Sequence, residues 1–269
     1  MTVPHPAVAP AGPHIWWFTV PPPGADTAAA ERLLGPRQRE RAARLRRPLS
    51  RHRKIMAHAA LRVLIAARLG GEPGELELGR AVCPECGGPH GRPFVAGARG
   101  FEFSMAHTGD EAVYAFADEP VGVDVENGRV AERTVRTVAR WLPPGQRTLL
   151  DTLPEAERSA AFARLWVRTE ALAKGRGTGL AHGLGAAPDA SAEPRWRLVD
   201  LRAPDGLVAA LAVPARDATA PPRPRSGRLP AASVIDAAGR ARAPGRAARA
   251  RHDPNPAPDN GGRAHDARQ

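Results

Sequence analysis

Apolar and polar positions alternate most clearly between residues 101 and 126. The runs FEFSMAHTGD, EAVYAFADEP and VGVDVE read as strand, turn, strand, turn, strand. Pro120 belongs to the second turn, since proline cannot donate to a central ladder. HIWWFTV, after the Pro-rich start of residues 1–25, is another short β-prone run. Residues 27–47 have helical composition, with Pro36 opening a second helix or turn. Residues 50–70 form the clearest helix. Ile55, Ala59, Arg62 and Ala66 mark one stripe, Leu61, Leu64, Ile65 and Leu69 another face, and Gly70-Gly71 stop it. Residues 72–100 are loop-rich, and 129–150 and 155–175 are helical by spacing. Residues 194–214 read as a hairpin turning at Ala203-Pro204-Asp205-Gly206.

From Asp217 the pattern is lost. Residues 217–269 are dominated by Ala, Arg, Pro, Gly and Asp, with few large apolar side chains, and are expected to be disordered. No stretch approaches the roughly 20 apolar residues of a membrane helix, and the N-terminus lacks the pattern of a secretory signal. Two cysteines do not staple a chain of 269 residues, so a cytoplasmic protein is expected.

The net charge of +11 raises the question of a polyanionic partner. Of 39 basic residues, all but Lys54 and Lys174 are arginine, in a chain rich in Ala, Gly and Pro. Codon bias accounts for that composition without nucleic acid, and aromatic platforms for stacking bases are scarce. A lysine in such a chain is therefore worth attention.

Three constellations could carry chemistry. In Gly122-Val-Asp124-Val-Glu126, strand alternation puts Val121, Val123 and Val125 on one face and the two carboxylates on the other, roughly 6.6 Å apart along the strand. Two hard anionic ligands suit Mg²⁺ or Mn²⁺ better than zinc, although a solvated strand face would look the same. Trp166, Glu170 and Lys174 share a helical face at i, i+4, i+8, ahead of the glycine-rich Gly175-Arg-Gly177-Thr-Gly179-Leu180. A surface ion pair worth only about 0.3–0.5 kcal/mol has the same spacing. Ser104-Met-Ala-His107-Thr108-Gly109 could offer donors to a phosphate from a strand end, or be ordinary surface. Separately, Cys83-Pro-Glu-Cys86-Gly-Gly-Pro-His90 presents three of the four ligands of a structural zinc. The fourth would have to come from His52, His58 or a second chain, so a free-thiol loop is the default expectation.

The order and spacing of these pieces go further than any one of them. FEFSMAHTGD, EPVGVDVE and, about 40 residues later, LWVRTEALAKGRGTGL, with HGRP upstream, resemble the 4′-phosphopantetheinyl transferases, in particular the larger Sfp-type members, over residues 15–214. The resemblance implies an α+β fold of two similar α+β halves packed as an intramolecular pseudo-dimer, followed by the disordered C-terminal tail. The halves would be residues 1–120 and 121–216, and the tail 217–269. It also implies an enzyme, a holo-acyl-carrier-protein synthase. Such an enzyme moves 4′-phosphopantetheine from coenzyme A to a serine of an apo acyl or peptidyl carrier protein and releases adenosine 3′,5′-bisphosphate. Asp124, Glu126 and Glu170 would be the Mg²⁺ ligands (Mn²⁺ as a substitute) and the catalytic carboxylates. Lys174, Arg92, His107 and Arg53 would contact the coenzyme's phosphates, with Thr108 in support. The expected partners are the carrier protein and coenzyme A, with no membrane, no nucleic acid and a monomeric chain. Thr169 stands where the family often has Lys, and Ala106 where it often has Ser; Arg168 or Arg176, and Thr108, are the expected replacements. The alternatives are a catalytically degenerate homologue that still binds carrier protein or coenzyme A, and a basic nucleic-acid-binding protein.

Overall fold

The computed structural model describes residues 12–24, 26–179, 196–215 and 224–241. The β-prone run after the N-terminal prolines is strand β1 (His14–Thr19). It leads into helices α1 (Asp26–Arg32), α2 (Pro36–Ala43) and the long α3 (Pro48–Leu69). Pro36 and Pro48 each occupy the first helical turn, where a missing N–H costs nothing. A small antiparallel pair, β2 (Leu78–Arg80) and β3 (Pro93–Val95), precedes β4 (Glu102–Thr108) and β5 (Glu111–Ala117). Then come β6 (Gly122–Asn127), α4 (Glu132–Val138), α5 (Pro144–Thr152), α6 (Glu155–Arg176), β7 (Trp196–Leu201) and β8 (Leu207–Pro214), and finally β9 (Arg225–Arg228) and α7 (Ala231–Arg240).

One topology occurs twice. β1, three helices and the antiparallel strands β4 and β5 form one series, with the small β2–β3 pair inserted before β4, and the same succession without that insertion runs from β6 to β8. The strands are ordered β4-β5-β1 in the first sheet and β7-β8-β6 in the second, with every one of these neighbours antiparallel. The helix that closes each series, α3 or α6, is 22 residues long.

Alternation along the strands builds two-sided sheets. One face of the first sheet presents Ile15, Trp17, Val113 and Ala115, and one face of the second presents Val121, Val123, Val125 and Leu211; all lie in a single shared core. The opposite face of the first sheet packs Phe18, Phe103, Tyr114 and Phe116 against Ile55, Met56 and Ile65 of α3. That of the second packs Ala210 and Ala212 against Val167, Ala171 and Leu172 of α6. Each fully buried large side chain of this kind contributes roughly 1.5–3 kcal/mol. The single tyrosine ties sheet to helix, its hydroxyl donating to the Ala57 carbonyl at 2.7 Å. Arg62, predicted on a helical stripe, is buried. It is satisfied by the Gln38 side chain at 2.6 Å and the Pro73 carbonyl at 2.7 Å.

Two expectations are corrected. The predicted helix over 129–150 is broken: α4 ends at Val138, a short 3₁₀ turn spans Ala139–Trp141, and Pro143-Pro144 force a restart. The expected disordered tail is ordered in part. β9 pairs in parallel with β1 from His14 opposite Arg225 to Trp17 opposite Arg228. α7 buries Val234, Ala237 and Ala238, with Leu229, in the first core. Strand pairing uses backbone groups that arginine supplies as well as any residue, and four small-to-medium apolar side chains are enough to seat a short helix. Residues 217–223 and 242–269 of that expected tail, and Leu180 of the glycine-rich stretch, lie outside the described residues. Among the described residues, no helix is long and apolar enough to cross a membrane.

Candidate functional site

The site is built where β6 runs against α6. A Cβ on Gly122 would stand 1.9 Å from the Ala171 carbonyl oxygen, so only glycine lets the strand approach the helix this closely. α6 ends one turn further on, at Gly177, in the left-handed conformation (φ 80°). The face of β6 turned away from the valine core therefore carries Asp124 and Glu126 toward the α6 face that carries Glu170 and Lys174.

Asp124 is buried. One of its oxygens, Oδ1, accepts a hydrogen bond from Lys174 Nζ at 2.6 Å, and the same ammonium donates to the Val123 carbonyl at 3.2 Å. The other oxygen, Oδ2, is buried without a hydrogen-bond partner. Glu126 Oε2 accepts from Thr108 Oγ1 of β4 at 3.2 Å. All three carboxyls are shifted toward protonation. Burial raises the pKa of Asp124, with Lys174 opposing it. Burial and then the Asp124 charge raise that of Glu126. Glu170 is pushed up to about 7 by burial and by Asp124, with Lys174 opposing and Glu126 adding to the rise.

Three mutually repelling carboxyls, one with an orphaned buried oxygen, need more positive charge than one ammonium supplies. Their oxygens are hard donors of the kind that hold Mg²⁺ or Mn²⁺. The residues thus fit a divalent cation, although the three do not, among the described residues, bring one oxygen each within 4.8 Å of one another.

Lys174 also reaches a cleft lined by Arg37, Arg41, Arg80 and Arg92, with His58 and His90. Leu61, Leu78, Phe103 and Met105 give it apolar walls. The cations around it disfavour one another. Lys54 is lowered by burial, then by Arg41 and Arg80. Arg80 is lowered by burial and by Arg41. His58 is brought down to about 3, chiefly by burial, then by Lys54, His107, Arg41 and Arg62. His107 is exposed, yet the protein crowding its ring, with Lys54, Lys174 and Arg53, lowers it too. Such a cluster is a seat for an anion.

Of the residues expected to touch phosphate, Arg92 and Lys174 line the cleft and His107 stands beside the cationic cluster. Arg92 also donates to Glu102 at 3.2 Å. Arg53 makes a two-pronged pair with Asp110 at 2.6 and 3.0 Å, and Thr108 is bonded to Glu126; both are committed to protein partners. Arg168 pairs with Asp200 of β7 at 2.8 and 2.6 Å, and Arg176 lies 3.9 Å from Glu85. Thr169 is buried, its hydroxyl returned to the Leu165 carbonyl of its own helix, and Ala106 sits in the inter-sheet core. The sequence reading leaves out Arg41 and Arg80, names His58 only as a possible fourth zinc ligand, and singles out Lys54 only as one of two lysines. Lys54 and His58 stand four apart on α3, a spacing that could have placed those two on one face, whereas Arg41 and Arg80 lie on other elements.

Residues 120–201, which include β6, α6 and all three carboxylates, match the model of the 4′-phosphopantetheinyl transferase superfamily. Over these residues the chain is similar to that superfamily. It is 26% identical over 212 residues to the 4′-phosphopantetheinyl transferase HetI of Nostoc sp., covering 74% of this chain and 86% of that protein. It is 32% identical over 95 residues to the 4′-phosphopantetheinyl transferase psf-1 of Bacillus pumilus (35% and 40% of the two chains). To the 4′-phosphopantetheinyl transferase of Bacillus subtilis it is 23% identical over 143 residues (53% and 60%). The family match covers the strand and helix that hold the carboxylates, whereas Arg41, Lys54, His58, Arg80 and Arg92 lie upstream of it.

Proposed function

We propose that this chain moves the 4′-phosphopantetheine arm of coenzyme A onto a serine hydroxyl of an apo carrier protein, releasing adenosine 3′,5′-bisphosphate. The observation that carries the proposal is Lys174, which pairs with Asp124 beside Glu126 and Glu170 on one side and lines a cationic cleft on the other. Coenzyme A brings a pyrophosphate and a 3′-phosphate, the charges such a cleft would hold. The repeated topology and shared core support an intramolecular pseudo-dimer of the larger, Sfp-type kind, with both walls of the cleft supplied by one chain acting as a monomer.

Arg92, Lys174 and the arginines of the cleft position the pyrophosphate and offset its charge. Asp124, Glu126 and Glu170 would hold Mg²⁺, which when bound neutralises the diphosphate and stabilises charge on the departing phosphate. The carrier serine Oγ forms a bond to the phosphorus bearing the pantetheine arm. The bond from that phosphorus to the bridging oxygen breaks, and adenosine 3′,5′-bisphosphate leaves with the electron pair. Glu170 accepts the serine proton.

The test is release of adenosine 3′,5′-bisphosphate from coenzyme A. Release should require both an apo carrier protein and a divalent ion, and Glu170→Ala should abolish most turnover while leaving coenzyme A binding measurable. Release without carrier, or near-native turnover in Glu170→Ala, would overturn the proposal.

A further inference from the structure

The cysteine-bearing loop, which this reaction does not use, forms a second site. Residues 81–92 double back on themselves: Ala81 N–H donates to the Arg92 carbonyl and Gly91 N–H to the Ala81 carbonyl, each at 2.8 Å. Inside that frame Cys83 N–H donates to the Gly88 carbonyl at 2.7 Å and Gly87 N–H to the Cys83 carbonyl at 2.9 Å. The ligand atoms of Cys83, Cys86 and His90 all lie within 4.8 Å of one another. Cys86 Sγ is 3.0 Å from His90 Nε2 and accepts the Gly88 N–H at 3.3 Å. A Cβ on Gly88 would sit 2.9 Å from the His90 ring and 3.2 Å from Cys86 Sγ, and Gly87 takes the left-handed conformation (φ 73°). The backbone is thus folded to bring the three side chains together.

We propose that Cys83, Cys86 and His90 bind a structural zinc ion whose fourth position is taken by solvent. Two sulfurs and an imidazole are the soft and borderline donors zinc prefers. Bonds of about 2.3 Å to sulfur and about 2.0–2.1 Å to nitrogen put tetrahedral donor atoms about 3.5–3.8 Å apart, inside the 4.8 Å within which these three lie. Cys86 is exposed, which leaves that side open to water, while Cys83 is buried against the Thr178 carbonyl at 3.8 Å. His52 and His58, the expected sources of a fourth ligand, are engaged elsewhere. His52 bonds Thr27 and the Pro21 carbonyl at 2.7 Å each, and His58 bonds Gln38 at 3.0 Å.

The ion would fix a loop joined to the end of α6, through Cys83 on Thr178 and Glu85 near Arg176. The same loop carries His90, Gly91 and Arg92 to the rim of the cleft. The zinc site is therefore a positioning device, and its existence does not depend on what the cleft binds.

The experiment is a cobalt titration of the full chain, reduced and stripped of metal. Thiolate-to-cobalt charge-transfer absorption should rise to saturation at about one cobalt per chain and be displaced by zinc. Cys86→Ser, at an exposed position that spares the core, should lose the band, and Asp124→Ala should keep it, because carboxylates give no thiolate transition. A titration without a saturable thiolate band, a band unchanged in Cys86→Ser, or a Cys83–Cys86 disulfide persisting in the reduced protein would overturn the proposal.

Discussion

Lys174 Nζ lies 2.6 Å from one oxygen of Asp124, while the other oxygen of the same carboxylate is buried and unpartnered. The pair is half satisfied, and the charge of the same carboxylate acts on Glu126 and Glu170. Removing the ammonium leaves a buried carboxylate with no partner. Lys174→Ala should cost about 3 kcal/mol or more in EDTA, read as a fall in the urea midpoint, and part of that should return on adding Mg²⁺. Equal stability of Lys174→Ala and the parent chain in EDTA would contradict the arrangement.

Stability should depend on pH through Glu170. Its folded-state pKa is raised from 4.5 to about 7, so folding favours the protonated acid. The stabilisation is fully present below pH 4.5 and is lost as the pH rises through about 7, by an order of magnitude of 3 kcal/mol for such a shift. His58 acts in the opposite sense. Held down to about 3, it contributes stability that is present above pH 6.5 and lost as the pH falls. Comparing the parent with Glu170→Gln cancels His58. In EDTA, the parent's stability relative to Glu170→Gln should fall between pH 5 and about 7, and Mg²⁺ should flatten the difference. A pH-independent difference in EDTA would count against the raised pKa.

The approach of β6 to α6 should tolerate no side chain at position 122. Gly122→Ala drives a Cβ to 1.9 Å from the Ala171 carbonyl oxygen and 2.5 Å from the Gly175 nitrogen, both in the backbone of α6. Overpacking of this kind costs about 1–3 kcal/mol or more, and here it would also displace Asp124 from Glu170. Thermal melting should fall by several degrees, and turnover should fall more than melting alone explains.

The cationic cleft should answer to substitution unevenly. Arg41→Ala, Arg80→Ala and Arg92→Ala are each expected to raise the KM for coenzyme A severalfold or more, with a smaller effect on kcat. Arg53→Ala, whose guanidinium is held by Asp110, should have the weaker effect. A dominant effect of Arg53 would mean that the Asp110 pair opens when the coenzyme binds.

Much of the fold could be read from the chain because its strands are short, alternating and punctuated. β4, β5, β6 and the β7–β8 hairpin fall where turn residues and β-branched runs place them. The i, i+4 spacing of Glu170 and Lys174 and the alternation of Asp124 and Glu126 also predict the faces that meet. Two features were hidden for physical reasons. Val234, Ala237, Ala238 and Leu229 are too few to stand out in an Ala- and Arg-rich segment, yet sequence-distant partners on α1, α3 and β1 make them a core. The seat formed by Arg41, Lys54, His58 and Arg80 depends on α2, α3 and β2 coming together, which no local spacing encodes. Val234→Asp should test the first point, destabilising the chain by about 3 kcal/mol or more by burying an unpaired charge.

The account stands most directly on the mass of a carrier protein. After incubation of the full chain with coenzyme A, Mg²⁺ and an apo carrier protein, the carrier should gain the mass of one phosphopantetheine arm on its serine. Parallel samples with Asp124→Ala or with EDTA should leave the carrier unchanged. A carrier unmodified by the parent chain, or modified equally by Asp124→Ala, would contradict it.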